Sequence, residues 1–324
     1  MHWTSNGAFT CSGQEYQLLE WLTKVVYPRE AKFADDEYAQ RVYPSVVQRL
    51  INFGVRSLIP YGYSSNNFLY QTTTCCYYGT VHFEAAKTLA DVVHRSGKCS
   101  YVSRMWLTLT RIIQASVHSL AYVKKFHFGP STTNDTSTIY DQKCNMDREV
   151  PEDNKESTQD SIDNTKKLIN YIRSLTQTTD SALVQPILTP RFAISCTPEL
   201  LRSLGDIAAS DPSLHIQAHI SENIDEVTTV GELFPGNTSY ADVYDSFGLL
   251  GPKTILGHAI HLGDDEVELI AKRKAGISHC PTSNFNLTSG IAQVGKYLDA
   301  GIKVGNLVQV IPMYRIHPPS CRLA

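Results

Sequence analysis

His219, His258 and His279 each close a short apolar run, in LHIQAHIS, TILGH and GISHC. Imidazole is the commonest metal ligand and moves protons near neutral pH. Glu222 follows His219 by three residues, and a carboxylate there can relay protons to a metal-bound water. A lone histidine in an apolar strand is ordinarily a hydrogen-bonded core residue. Three at the same end of successive strands, with a glutamate beside the first, point to a site instead. A fourth run ends in Thr189-Pro190-Arg191-Phe192. That arginine suits an anion or a carbonyl and the phenylalanine a flat ring. The plainer reading is a surface ion pair and a core ring. Ser283 and Asn284, after Pro281, suit a turn and a helix cap, or the polar edge of a ligand. His261 precedes a polar helix start and is expected at the surface.

The elements that must hold these residues are clearest from about 155 to 305. Apolar spacing predicts a helix over 161–175 and another over 198–209, with Thr197 as its N-cap and Pro198 in its first turn. Strands are predicted over 183–188, 214–220, 254–258 and 276–279, and helices over 223–233, 264–274 and 290–300. Strands alternating with helices mean βα units and a parallel sheet. The strands are short and apolar, as in a sheet covered on both faces. Four such units favour a (β/α)8 barrel, whose chemistry sits at the carboxyl ends of the strands. No GxGxxG follows a strand, which removes the usual dinucleotide-binding alternative. Segments 55–71 and 103–142 break the pattern and read as irregular inserts.

The chain has 324 residues, 29 Lys plus Arg against 32 Asp plus Glu, and a net charge of −3. That balance gives no electrostatic footprint for nucleic acid or an anionic membrane. The 42% apolar content is enough for a sizeable core. No apolar run approaches the ~18 residues of a membrane span. Residues 1–13 carry no basic stretch followed by an apolar one, so the expectation is a cytoplasmic protein. The eight cysteines form no CxxC pair and are expected as thiols. The sequons at Asn134, Asn237 and Asn286 are then expected unglycosylated.

Taken together, the blocks LLEWLTKVVYPREAKF, TTTCCYYGT, ILTPRFAISC, LHIQAHISEN, ILGHAIHL and ISHCPTSNFNLTSG resemble, in order, the guanine deaminases of the amidohydrolase superfamily, in a fungal-like version. The resemblance implies an α/β fold, a (β/α)8 TIM barrel of the amidohydrolase type, and zinc-dependent hydrolysis of guanine to xanthine and ammonia. It matches His219 to a zinc ligand, Glu222 to the proton shuttle and His258 to the histidine that orients the attacking hydroxide. Arg191 and Phe192 match purine contacts, and His279, Ser283 and Asn284 the wall of the purine pocket. It also implies a homodimer.

The chain departs from that pattern in several places. It contains no His-x-His pair, and Gly305 is followed by Asn306-Leu307-Val308-Gln309 where the resemblance implies an aspartate. His219 is thus the one matched ligand of four. The expectation is an incomplete barrel over 1–305, lacking the small β-sandwich domain, with a non-family tail over 306–324. Both inserts end in Gln, encodable as an intron acceptor. Val55-Arg56 and Val102-Ser103 are encodable as donors, so the inserts read as retained introns. Two further readings stand beside hydrolysis: a purine-binding chain without catalysis, and the inactive product of a mis-spliced gene. Another ring aminohydrolase of the superfamily is the alternative among enzymes.

Overall fold

The computed structural model describes residues 2–4, 16–52, 74–99, 138–176 and 184–306. Eight parallel strands follow one another in chain order. They are β1 His2–Thr4, β2 Thr74–Tyr78, β3 Thr138–Asp141, β4 Val184–Leu188, β5 His215–Ile220, β6 Thr254–His258, β7 Gly276–His279 and β8 Lys303–Asn306. The main helices are α1 Asp36–Asn52, α2 Phe83–Cys99, α3 Thr158–Thr176, α4 Pro198–Ser210, α5 Ile224–Leu233, α6 Tyr240–Ser246, α7 Asp264–Arg273, α8 Pro281–Asn286 and α9 Val294–Asp299. A run of short helical turns over 18–34 precedes α1. Sequential parallel strands with intervening helices are the TIM-barrel-type arrangement.

Local chemistry explains the boundaries. Thr197 accepts the Leu200 amide and Pro198 opens α4. Asn223 and Glu226 form a capping box at the start of α5. Lys274 closes α7 in the left-handed conformation. The strands predicted over 254–258 and 276–279 match β6 and β7. The helix predicted over 290–300 begins only at Val294, because Gly290 has a φ of 123° that no helix adopts. The irregular reading of 103–142 fails at its end, where β3 pairs with both β2 and β4. Residues 103–137, the insert at 55–71 and the tail beyond Asn306 lie outside the described residues.

The largest apolar cluster packs α4 to α7 against β4 to β7, with Leu200, Leu204, Ile220, Leu256, Ile270 and Tyr297 all buried. A second joins α1 and α2 to β2, through Tyr43, Leu50, Cys75, Tyr77, Leu89 and Val93. Each fully buried Leu, Ile or Val contributes ~1.5–3 kcal/mol of transfer free energy. A third, small cluster of Cys76, Tyr140 and Ile187 with Ile255 gathers one residue from each of β2, β3, β4 and β6. Those residues mark the inner face of the sheet. Beside them, Tyr140 OH meets His215 Nε2 at 3.2 Å.

Candidate active site

Period-two alternation puts His215, Gln217 and His219 on the inner face of β5, and only His219 reaches its carboxyl end. Gln217 Nε2 donates to Tyr77 O at 2.8 Å and to Thr189 Oγ1 at 3.0 Å, tying β5 to β2 and to the loop after β4. His219 Nδ1 lies 2.7 Å from Arg191 O. A carbonyl only accepts, so Nδ1 carries the proton and Nε2 is the lone-pair nitrogen. Tyr78 packs edge-on against the ring at 4.7 Å. Burial holds His219 well below the ordinary histidine pKa, with the neighbouring His258 adding to the effect, so it is neutral.

His258 is paired with Ile220 in the β5–β6 register, and His219 with Gly257. A regular pleat would therefore send the two imidazoles to opposite faces. The backbone of His258 has a φ of 69°, and Ala259 and Ser221 are also left-handed, at 51° and 48°. This takes His258 out of the pleat and lays its ring over His219, with centroids 5.4 Å apart and planes 19° from parallel. Non-glycine residues in this region store strain, which clusters at functional sites. His258 Nδ1 faces Asn284 Oδ1 at 2.8 Å, and Nε2 faces Glu222 Oε2 at 3.4 Å. Glu222, His258 and Asn284 are all buried.

Burial pushes the Glu222 carboxyl up to about 8, against the pull of Arg191. Burial opposes the charged form of His258 too, but Cys280 and Asn284 outweigh it and leave that imidazole above the ordinary value. The Glu222–His258 pair therefore holds at least one proton at neutral pH. The two groups face each other at the carboxyl end of the sheet. Glu222 Oε1, Ser221 Oγ, His279 Nδ1 and Asn284 Nδ2 are buried there without a hydrogen-bond partner among the described residues. Buried polar atoms left this way call for a ligand or a water.

The structure redistributes the other predicted residues. Arg191 makes no surface ion pair. It is buried, with Nη1 2.6 Å from Glu30 Oε2 and Nη2 3.1 Å from Glu30 Oε1, and its guanidinium lies over Tyr27. Its described side-chain partners are thus protein groups, while its carbonyl fixes His219. Phe192 is buried in the main core cluster. Asn284 stands behind His258 on α8, and Ser283 is half-buried on the same short helix. His261 is half-buried, with Nε2 2.8 Å from Ser289 O. Sequence reasoning missed Glu30, although it lies in a block the resemblance used. It also missed Glu226, for which the Asn-x-x-Glu spacing was the available signal.

A metal needs more than His219. Among the described residues no three His, Cys, Asp or Glu side chains gather so as to hold one. The described donors do not by themselves make a zinc site.

The profile of the Amidohydrolase family matches residues 6–306, and the chain belongs to that family. It is 37% identical over 294 residues to a guanine deaminase of Dictyostelium discoideum, covering 91% of this chain and 52% of the relative. It is 39% identical over 294 residues to a probable guanine deaminase of Schizosaccharomyces pombe, covering 90% and 45%. The fold superposes on the crystal structure of guanine deaminase from C. acetobutylicum with bound guanine in the active site. The TM-score is 0.71 at 30% identity, covering 94% of this chain and 58% of the other. The chain spans about half the length of the curated relatives it matches.

Proposed function

We propose that the carboxyl ends of β4 to β7 form the purine site of a guanine deaminase, which hydrolyses guanine to xanthine and ammonia. The observation that carries this reading is the buried Glu222–His258–Asn284 chain stacked beside His219. Hydrolysis adds one water to the amino-bearing carbon and expels one ammonia. Glu222, protonated at neutral pH, can give its proton to the purine ring. The carboxylate it leaves can take a proton from the attacking water and pass it to the departing amine, and the proton still on the added oxygen returns to Glu222 as the carbonyl forms. His258 faces that carboxyl and holds the second proton position, with Asn284 fixing its ring. His279 and Ser283 line the pocket, and Arg191 and Phe192 shape its floor through the β4 loop.

The resident metal of this reading is Zn2+, with His219 as one ligand. A second reading is a chain that binds purine without turning it over, since the sequence contains no His-x-His pair. The compartment proposed is the cytoplasm, and the assembly a homodimer. Among the described residues no helix is long and apolar enough to cross a membrane.

The test is zinc content and guanine turnover on the purified 324-residue chain, with Glu222→Gln as control. Stoichiometric zinc with Glu222-dependent xanthine supports the hydrolase. Guanine binding without turnover supports the second reading. A chain that neither binds nor converts guanine contradicts both.

A further inference from the structure

The short helix α6 touches the site at three points. Tyr240 OH donates to Glu226 Oε1 at 2.8 Å and accepts the Ala193 amide at 3.1 Å. Glu226 Oε2 in turn accepts the amides of Glu222 at 2.7 Å and Asn223 at 3.3 Å. One turn along α6, Tyr244 OH donates to His219 O at 2.7 Å. Tyr240, Tyr244 and Glu226 are all buried. The loop after β4 carries Arg191, Phe192 and Ala193, and the loop after β5 carries Glu222. A single chain of side-chain hydrogen bonds joins the two, from Ala193 N–H through Tyr240 and Glu226 to the Glu222 N–H.

The placement of α6 is itself tightly set. A Cβ added at Gly205 of α4 would lie 1.9 Å from the carbonyl oxygen of Phe247, the residue after α6. Glycine is what lets α4 approach so closely, and the approach pins the end of the helix that bears Tyr244. The Arg191 carbonyl already accepts the His219 amide at 2.9 Å, and the brace extends that tie from His219 to Glu222 and from Arg191 to Ala193. The brace also fixes where Glu222 begins its side chain relative to His219.

We infer that Tyr240, Glu226 and Tyr244 are positioning residues, a buried brace that sets the distance between the purine-contact loop after β4 and the proton-shuttle loop after β5. The inference rests on the purine reading for the role of those loops. The coupling between them stands on the hydrogen bonds alone. Buried hydrogen bonds linked in series are worth more together than one at a time. Breaking one link therefore loosens both loops.

Amide hydrogen exchange on the full-length chain tests this. In Tyr240→Phe, which keeps the ring and loses the hydroxyl, exchange at Ala193, Glu222 and Asn223 rises together by roughly 10-fold, the factor set by one lost hydrogen bond. Exchange at Ile216 and Leu256, mid-strand in β5 and β6, stays as it was. Acceleration confined to Ala193 overturns the brace. Glu226→Ala breaks the same chain from the other side and guards against a Tyr240 variant that fails to fold. Its predicted result is faster exchange at Ala193, which it does not touch, and an unchanged Ala193 overturns the proposal. Glu226→Gln, which keeps an acceptor, restores protection at Glu222. Guanine affinity is measured alongside. Weaker binding at an unchanged melting temperature marks positioning rather than bulk stability. If the unmodified chain binds no guanine, the purine reading fails, and the exchange data still decide the brace.

Discussion

Two regions of the sheet bury polar groups that lack a full-strength hydrogen bond among the described residues, and the groups differ in what they face. Around β5 to β7 they are Ser221 Oγ, Glu222 Oε1, His279 Nδ1 and Asn284 Nδ2. These lie at the carboxyl strand ends, beside left-handed backbone and the Glu222–His258 pair. Around β2 and β3 they are Tyr43 OH and Thr80 Oγ1, which face each other, both Asp141 carboxyl oxygens, which face the Gln142 backbone, and Gln142 Nε2, none in a full-strength hydrogen bond. The β2–β3 register continues Cys75↔Ile139, which puts Asp141 beside Tyr77 on the helix-facing side. Burial lifts Asp141 to about 8, the same value as Glu222. An equal penalty thus has opposite meanings. On the proposed purine reading it readies a proton at Glu222, and at Asp141 it opposes packing. Asp141 and Gln142 are the last residues of the segment read as a retained intron.

Four predictions press on that contrast. The largest effect is at the junction of the two regions, where Arg191 of the β4 loop meets Glu30 of the helical run. Glu30→Ala leaves a buried guanidinium unpaired and lowers stability by about 3–5 kcal/mol in urea denaturation. A loss under about 1 kcal/mol would mean that the pair is solvated.

Excision comes next. Joining Gly54 to Thr72 and Val102 to Lys143 puts Tyr101 and Val102 in the places of Asp141 and Gln142. With each unsatisfied group worth about 1–3 kcal/mol, the excised chain melts several degrees higher. A lower melting point would mean that the segments belong to the fold. Sequencing of mature transcripts that retain both segments would count against their being introns.

The third prediction separates the two carboxyls. Asp141→Val and Glu222→Gln each raise stability by about 1–3 kcal/mol at pH 8. Only Glu222→Gln abolishes proton transfer, the trade expected at an active site. The pH dependence follows from the sign of the shift. A carboxyl near 8 in the folded chain and ~4 unfolded keeps its proton longer when folded. Between those values the folded state binds more protons, so stability falls as pH rises from about 4 to about 8. Asp141→Val flattens part of that fall, and a pH profile identical to the unmodified chain would refute the assignment.

The smallest effect belongs to Tyr244→Phe, which removes one hydrogen bond to His219 O at about 0.5–1.5 kcal/mol. Its main consequence is a shift in the His219 ring signals by NMR.

Much of the β4–β7 half was legible because its strands are short apolar runs with histidine at the end, and its helices start on recognisable caps. The geometry that makes the site was not. Nothing in TILGH foretells that His258 leaves the pleat, since a left-handed φ at a non-glycine residue is imposed by tertiary context. Arg191 and Glu30 are 161 residues apart, too far for any local pattern to pair them. Helix α6 has seven residues, less than two full periods, so its apolar face could not be told from a loop. β3 was missed because Thr138–Asp141 carries an aspartate that a buried strand ordinarily excludes.

The central claim is that guanine binds at the carboxyl ends of β4 to β7. Calorimetric titration of guanine into the unmodified chain, His258→Ala and Asp141→Val tests it most directly. The account predicts saturable binding that His258→Ala weakens and Asp141→Val leaves intact. Guanine binding that is absent, or indifferent to His258, would contradict it.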